Sequence, residues 1–187
     1  MNELEISLEA VSHLKEGRII LYPTDTIWGI GCDATRPESI QRVFDIKRRT
    51  DSKSMVILVA NDAMLNRVIP TVPAVAWDLF DTATEPLTLV LPNANWVAKN
   101  VCAEDGSVAV RMIKTGALHK MINNFGRPIV STSANISGDK SPNSFSDINP
   151  LIKEKVDYTV LFPDLGTKKP SSILKIGLKG EVQILRA

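Results

Sequence analysis

Lys47, Arg48, Arg49 and Lys53 put four cations and one acid, Asp51, into seven consecutive residues. A lysine supplies a point charge and an arginine a planar fork, the pairing that phosphate oxygens need where no Walker loop provides backbone donors. The same run also suits a solvated helix end, where cations complement the helix dipole. Arg111 and Arg186 each follow an apolar run and stand where they can add to one anion pocket. A second stretch, Ile129 to Gly138, turns abruptly from apolar residues into Ser131, Thr132, Ser133, Asn135 and Ser137. Ser, Asn and Gly are ordinary turn residues. Short polar groups at the mouth of a buried strand also suit a ligand, because the strand fixes where they sit. A third stretch, Thr24 to Gly31, is polar, then glycine-bearing, and has no helical period, so it reads as a loop of unusual chemistry.

Other chemistries fit these residues poorly. Gly29-Ile30-Gly31-Cys32-Asp33-Ala34 has the letters of a dinucleotide fingerprint, but its glycines lie seven or more residues beyond the strand ending at Tyr22. The next helix starts only near Pro37, so pyrophosphate would find no helix N-terminus there. No GxxxxGK[ST] motif is present, which excludes a P-loop. Ser131, Ser133, His13 and His119 invite a Ser-His hydrolase, but there is no GxSxG elbow and neither histidine has a recognisable orienting acid. Cys32 and Cys102 have no metal-ligand spacing and give no disulfide framework, which fits a reducing compartment. Aromatic residues make up 5% of the chain, too few for a stacking platform along RNA. A net charge of +1 gives no global field. Any anion site must therefore be a local cluster, and a compact anionic ligand suits the cluster better than a polynucleotide.

These side chains need a scaffold, and the apolar pattern provides one. Hydrophobic content of 44% and charged content of 23% over 187 residues are those of an ordinary globular chain able to build one core. Ser7 is placed to cap a helix bearing Leu8, Val11 and Leu14, with Gly17 to end it and His13 solvated. Strands are predicted over Arg18 to Tyr22, Met55 to Val59, Leu87 to Leu91, Ser107 to Arg111 and Ile129 onward. Helices are predicted from Pro37, after Asn61, over 73–82 with Trp77 and Phe80 inward, and over Gly116 to Phe125. Three more strands are predicted around Tyr158 to Leu161, Ile173 to Ile176 and Val182 to Leu185. The interleaving predicts one α/β domain over residues 1–187 with a mixed sheet, since no helix separates the strands between 84 and 111. The N-terminus lacks a signal-peptide pattern and no run approaches about 18 apolar residues, so a soluble, cytoplasmic protein is expected.

Taken in order, Tyr22-Pro23-Thr24-Asp25-Thr26-Ile27-Trp28-Gly29-Ile30-Gly31-Cys32-Asp33, Lys47-Arg48-Arg49 with Lys53, Pro86 to Leu91, Val108-Ala109-Val110-Arg111 and Ser131 to Gly138 resemble the YrdC-type threonylcarbamoyl-AMP synthases over nearly the whole chain. The resemblance implies a single twisted α/β domain with a concave basic pocket. It implies a nucleotidyltransferase that joins L-threonine, bicarbonate or CO2 and ATP into threonylcarbamoyl-AMP and pyrophosphate. This would be the first step of the N6-threonylcarbamoyladenosine modification of tRNA, with a separate transferase acting next. Mg2+ would arrive with the ATP. Lys47 and Arg49 match the family's Lys-x-Arg and are implied to be the catalytic, phosphate-facing pair, with Lys53 after them. Ser133 and Asn135 match its Ser-x-Asn on the nucleotide side. Thr26 and Arg111 match threonine-contacting positions. Ser141 and Arg186 are implied on the ATP side, and Ser131 and Ser172 on the threonine side. The chain departs from the family in Lys53-Ser54-Met55, Thr84-Glu85-Pro86, Leu58 and Met112-Ile113-Lys114. The alternative is a nucleotide- or RNA-binding protein with the same pocket, weak RNA affinity and no catalysis. A carbamoyltransferase of hydrogenase maturation would need zinc-finger-like and acylphosphatase-like regions, which this sequence lacks.

Overall fold

In a computed structural model the described residues are 2–48 and 55–187. Nine strands among them join one mixed sheet in the order β7-β1-β2-β6-β3-β5-β4-β8-β9. The strands are β1 (Ile20–Tyr22), β2 (Gly29–Gly31), β3 (Val56–Val59), β4 (Leu87–Leu91), β5 (Val108–Met112), β6 (Ile129–Ser133), β7 (Tyr158–Thr159), β8 (Ser172–Ile176) and β9 (Val182–Arg186). The helices are α1 (Glu3–Lys15), α2 (Pro37–Lys47), α3 (Asp62–Val68), α4 (Ala74–Thr82), α5 (Gly116–Phe125) and α6 (Pro150–Lys155). A single 3-10 turn, Lys99–Val101, is the sole helical element between β4 and β5 among the described residues.

The central strands are continuous apolar runs because both of their faces are covered. Every residue of β1 and β2 is buried, as are Ile129 to Thr132 of β6. β3 runs parallel to β5 and antiparallel to β6, while β2 pairs antiparallel with the other edge of β6. This places Gly29 opposite Ser133 and Val56 opposite Ser131. Gly31 is what allows the β2–β6 approach, since a Cβ there would stand 1.8 Å from the carbonyl oxygen of Val130.

Several boundaries differ from the sequence reading. α1 begins four residues before Ser7, capped by Asn2, whose side chain accepts from Glu5 N while Glu5 reaches back to Asn2 N. That reciprocal box outcompetes Ser7, which lies inside the helix with its hydroxyl buried. Leu8 is consequently exposed, and His13 stacks on the Tyr158 ring at 4.6 Å. Gly29 to Gly31, expected as loop, is strand β2. Glycine is unfavourable in an isolated strand, but here it is required by the close pairing with β6. Trp77 is half-buried while Phe80 is fully inward. α6 carries Pro150 in its first turn, a start signal that went unread. Gly116 to Phe125 forms α5 as expected and ends on Gly126 at φ 74°.

Candidate functional site

A cleft opens where β6 ends, lined by Thr24, Thr26, Ile27, Trp28, Gly29, Val56, Arg111, Ser131, Thr132, Ser133, Ser141, Pro170, Ser171 and Arg186. These side chains come from distant parts of the chain, and the strand order explains their meeting. The pairing of β2 with β6 hangs the Thr24–Trp28 loop beside Ser131 to Ser133. Arg111 arrives on β5, two strands from β6, and Arg186 from β9 at the sheet edge.

The loop is wired by side chains. Thr24 Oγ1 donates to the carbonyl of Ile27 at 2.8 Å and accepts from Thr26 N at 3.0 Å. Its single proton is thus committed, so the 2.8 Å contact with Thr26 Oγ1 has Thr26 as donor. Arg111 Nη1 in turn donates to Thr26 Oγ1 at 3.1 Å. One lone pair of Thr26 is left to accept from a ligand.

Arg111 is buried, and its Nη2 lies 3.0 Å from Asp25 Oδ1. That oxygen nonetheless has no well-directed hydrogen bond, and Arg111 Nε has no acceptor among the described residues. The charges touch without forming the aligned fork that satisfies a guanidinium. Across the cleft, Arg186 donates to the Ser171 carbonyl from Nε at 2.9 Å and from Nη2 at 2.6 Å. Partial burial, and then the positive charge of Arg111, lower the pKa of Arg186 from its ordinary value. Two guanidinium groups therefore share a cleft with one nearby carboxylate, an excess of positive charge that an anion relieves.

Lys47 ends α2 in the core. Its Nζ donates to the carbonyls of Ser133 at 2.5 Å and Asn135 at 2.7 Å, with Asn135 Oδ1 at 3.4 Å. It holds the turn that presents the serine, and it does not line the cleft. A buried ammonium needs such acceptors, and these carbonyls supply two of its contacts. Ser133 Oγ donates to Asn135 Oδ1 at 2.5 Å, and Asn135 Nδ2 donates to the Asp139 carbonyl at 2.6 Å.

Of the residues singled out by sequence, Thr26, Arg111, Ser131, Ser133, Ser141 and Arg186 share the cleft. Asn135 faces the neighbouring 136–150 loop instead. Ser172 is replaced by Ser171, whose hydroxyl meets Thr88 Oγ1 at 2.7 Å. Alternation along a strand could have decided between the adjacent serines, since Ser172 shares its face with buried Ile176. Arg49 and Lys53 lie outside the described residues. Trp28, Pro170 and Val56 were missed as lining groups, although Trp28 stands inside the motif loop.

No activated enzyme nucleophile is found among the described residues of the cleft. His13 stacks on Tyr158, and His119 lines a groove between α1 and α5. Burial pushes the Cys32 thiol far up, and burial also raises Cys102. Among the described residues no helix is long and apolar enough to cross a membrane, and no group of three His, Cys, Asp or Glu side chains could hold a metal ion.

Residues 12–187 match the Sua5/YciO/YrdC family model, which carries the description "Telomere recombination". A threonylcarbamoyl-AMP synthase from Pseudoalteromonas translucida is 29% identical over 185 residues, covering 97% of this chain and 98% of the relative. A threonylcarbamoyl-AMP synthase from Vibrio parahaemolyticus is 30% identical over 168 residues, covering 88% of this chain and 91% of the relative. Among solved structures, P. abyssi Sua5 complexed with L-threonine superimposes with a TM-score of 0.82 at 28% identity, over 94% of this chain. The chain spans about half of that Sua5 chain, 52%.

Proposed function

The chain belongs to the Sua5/YciO/YrdC family, and on that premise we propose that it is an L-threonylcarbamoyladenylate synthase. The observation that carries this reading is Arg111, a buried guanidinium whose Nε has no acceptor among the described residues, one hydrogen bond from Thr26 and in the same cleft as Arg186. Such a site suits a ligand with a carboxylate and a hydroxyl or amine at one end and phosphate nearby.

Arg111 takes the threonine carboxylate, and Thr26 accepts from the hydroxyl or amine with its remaining lone pair. The threonine amine adds to CO2, or to bicarbonate with loss of hydroxide, and gives up a proton to form a carbamate. A carbamate oxygen attacks the α-phosphorus of ATP, and the bond to pyrophosphate breaks. The substrate is itself the nucleophile, which accounts for the lack of an activated side chain among the described residues of the cleft. The protein contributes position and charge. Ser131 and Ser133 donate to oxygens of the adenylate, with Ser133 releasing Asn135 to do so, and Ser141 and Arg186 face the phosphates. Lys47 acts by fixing the Ser133 turn. Mg2+ would arrive as part of the nucleotide substrate and would offset charge on its phosphates. The product serves a separate transferase that modifies tRNA in the cytoplasm.

Mixing the protein with ATP, Mg2+, bicarbonate and L-threonine is expected to release pyrophosphate. A rate no greater than that of a control without threonine would overturn the reading.

A further inference from the structure

Residues 163–171 lead from the strand region at β7 into β8 and lie along the Thr24–Trp28 loop as a strap. Thr167 N donates to the Asp25 carbonyl at 3.0 Å, and Lys168 N donates to the Thr26 carbonyl at 2.9 Å. Between the loop and the strap there is no room even for a methyl group at position 166. A Cβ on Gly166 would lie 2.3 Å from the Thr26 carbonyl oxygen and 2.8 Å from that of Thr24. The side-chain fastening is Asp164. Its Oδ2 accepts from Trp28 Nε1 at 2.8 Å, and its Oδ1 is paired with Lys168. Trp28 is buried, lines the cleft, and meets the Phe145 ring at 5.2 Å on its other side. Asp164 itself lines none of the cleft. A partly exposed carboxylate thus holds a buried indole that lines the cleft.

We propose that Asp164 is a positioning residue which, through Trp28, fixes the loop bearing Thr26 and so sets the affinity for the amino-acid substrate but not for the nucleotide. This rests on the synthase reading given above. The strap meets the loop at Asp25, Thr26 and Trp28, whereas Ser133 is held from the other direction by Asn135 and Lys47. The Trp28 carbonyl also accepts from Ala134 N at 2.9 Å, but that bond is made by the backbone and not by the indole, so loosening Asp164 acts first on the wall that carries Thr26.

The test is a double-mutant cycle on the full chain with Asp164→Ala, Trp28→Phe and both together. Phe keeps the aromatic bulk and removes the N–H donor. Asp164→Ala is expected to raise the KM for threonine about tenfold, the scale of one charge-assisted hydrogen bond. The KM for ATP and kcat should stay within about twofold. Asp164→Asn retains an acceptor for the indole and should recover most of the loss. The double variant should be no worse than the more damaged single one, because both remove the same contact. Amide exchange at Thr167 and Lys168 should quicken in Asp164→Ala without change in the α5 core. If the wild-type protein turns over but the two KM values rise together, or the two substitutions add in full, this inference is overturned and the synthase reading stands. If wild-type protein shows no threonine-dependent pyrophosphate release, both fall.

Discussion

The two walls of the cleft are built differently. On the wall proposed above for threonine, Thr24, Thr26, Trp28 and Arg111 are all buried and are tied to one another and to the strap. On the wall proposed for phosphate the described groups are more open. Ser133, Asn135 and Ser141 are half-buried, Ser137 to Lys140 are exposed, and Arg186 sits on a strand exposed along its whole length. The difference follows from what each wall must do. A small zwitterion is told from its analogues by fixed groups whose few unfilled bonds the right ligand completes, since an unfilled buried polar site is costly. A polyphosphate is held by charge, which tolerates looser placement and water.

The largest test of this contrast is Arg111→Ala. It should lower kcat/KM for threonine by about 10²–10³-fold and also lower the melting temperature, because Asp25 loses its counter-charge. Activity loss without any thermal shift would show that the wall is less braced than its contacts imply. Lys47→Ala comes next, with turnover expected to fall by about 10²-fold, on the scale of one preorganised charge. Here the cause is indirect, through the Ser133 turn, so unchanged turnover would detach that turn from catalysis. Thr26→Ala and Arg186→Ala form the matched pair. The first should raise the threonine requirement about tenfold more than the ATP requirement, and the second should do the reverse with little thermal change. Equal effects of either substitution on both substrates would erase the distinction between the walls.

The smallest expected effect concerns pH. Burial alone would raise the Asp164 carboxyl, but hydrogen bonds from Lys168 and Trp28 outweigh it and leave its pKa below the ordinary value. A carboxyl depressed in the folded state stabilises above its unfolded pKa of about 3.9, and this contribution is lost as pH falls through the folded value. The melting temperature should therefore drop below about pH 4, and by roughly 1–2 °C less in Asp164→Asn. Identical acid profiles for the two proteins would remove the braced wall's dependence on this charge.

Much of the scaffold can be read from the sequence because its signals are local. The apolar face of α5 and the turn at Gly126 need no knowledge of the rest of the chain. What stayed hidden depends on partners far away in sequence. Gly29 to Gly31 looks like loop until β6 is laid against it, and Gly31 then becomes the residue that the pairing requires. Lys47 reads as a phosphate ligand by its place in a basic run, and its bonds to the carbonyls of Ser133 and Asn135 show only once the fold brings them together. Residue types at Thr26, Arg111, Ser131 and Ser133 disclosed the pocket. Nothing in the letters near Asp164 disclosed the strap, because that role exists only once Trp28 has been brought beside it.

The sheet order also bears on how the protein comes to life. β1 lies between β2 and β7, with Ile19 N bonded to Asp157 across 138 positions, and β4 waits for β8. Pairings of such span are slow to close and leave edges open meanwhile. During synthesis the loop with Thr24 and Thr26 emerges well before its strap and Arg186. The nascent chain holds that loop without a wall to brace it until β8 and β9 have left the ribosome.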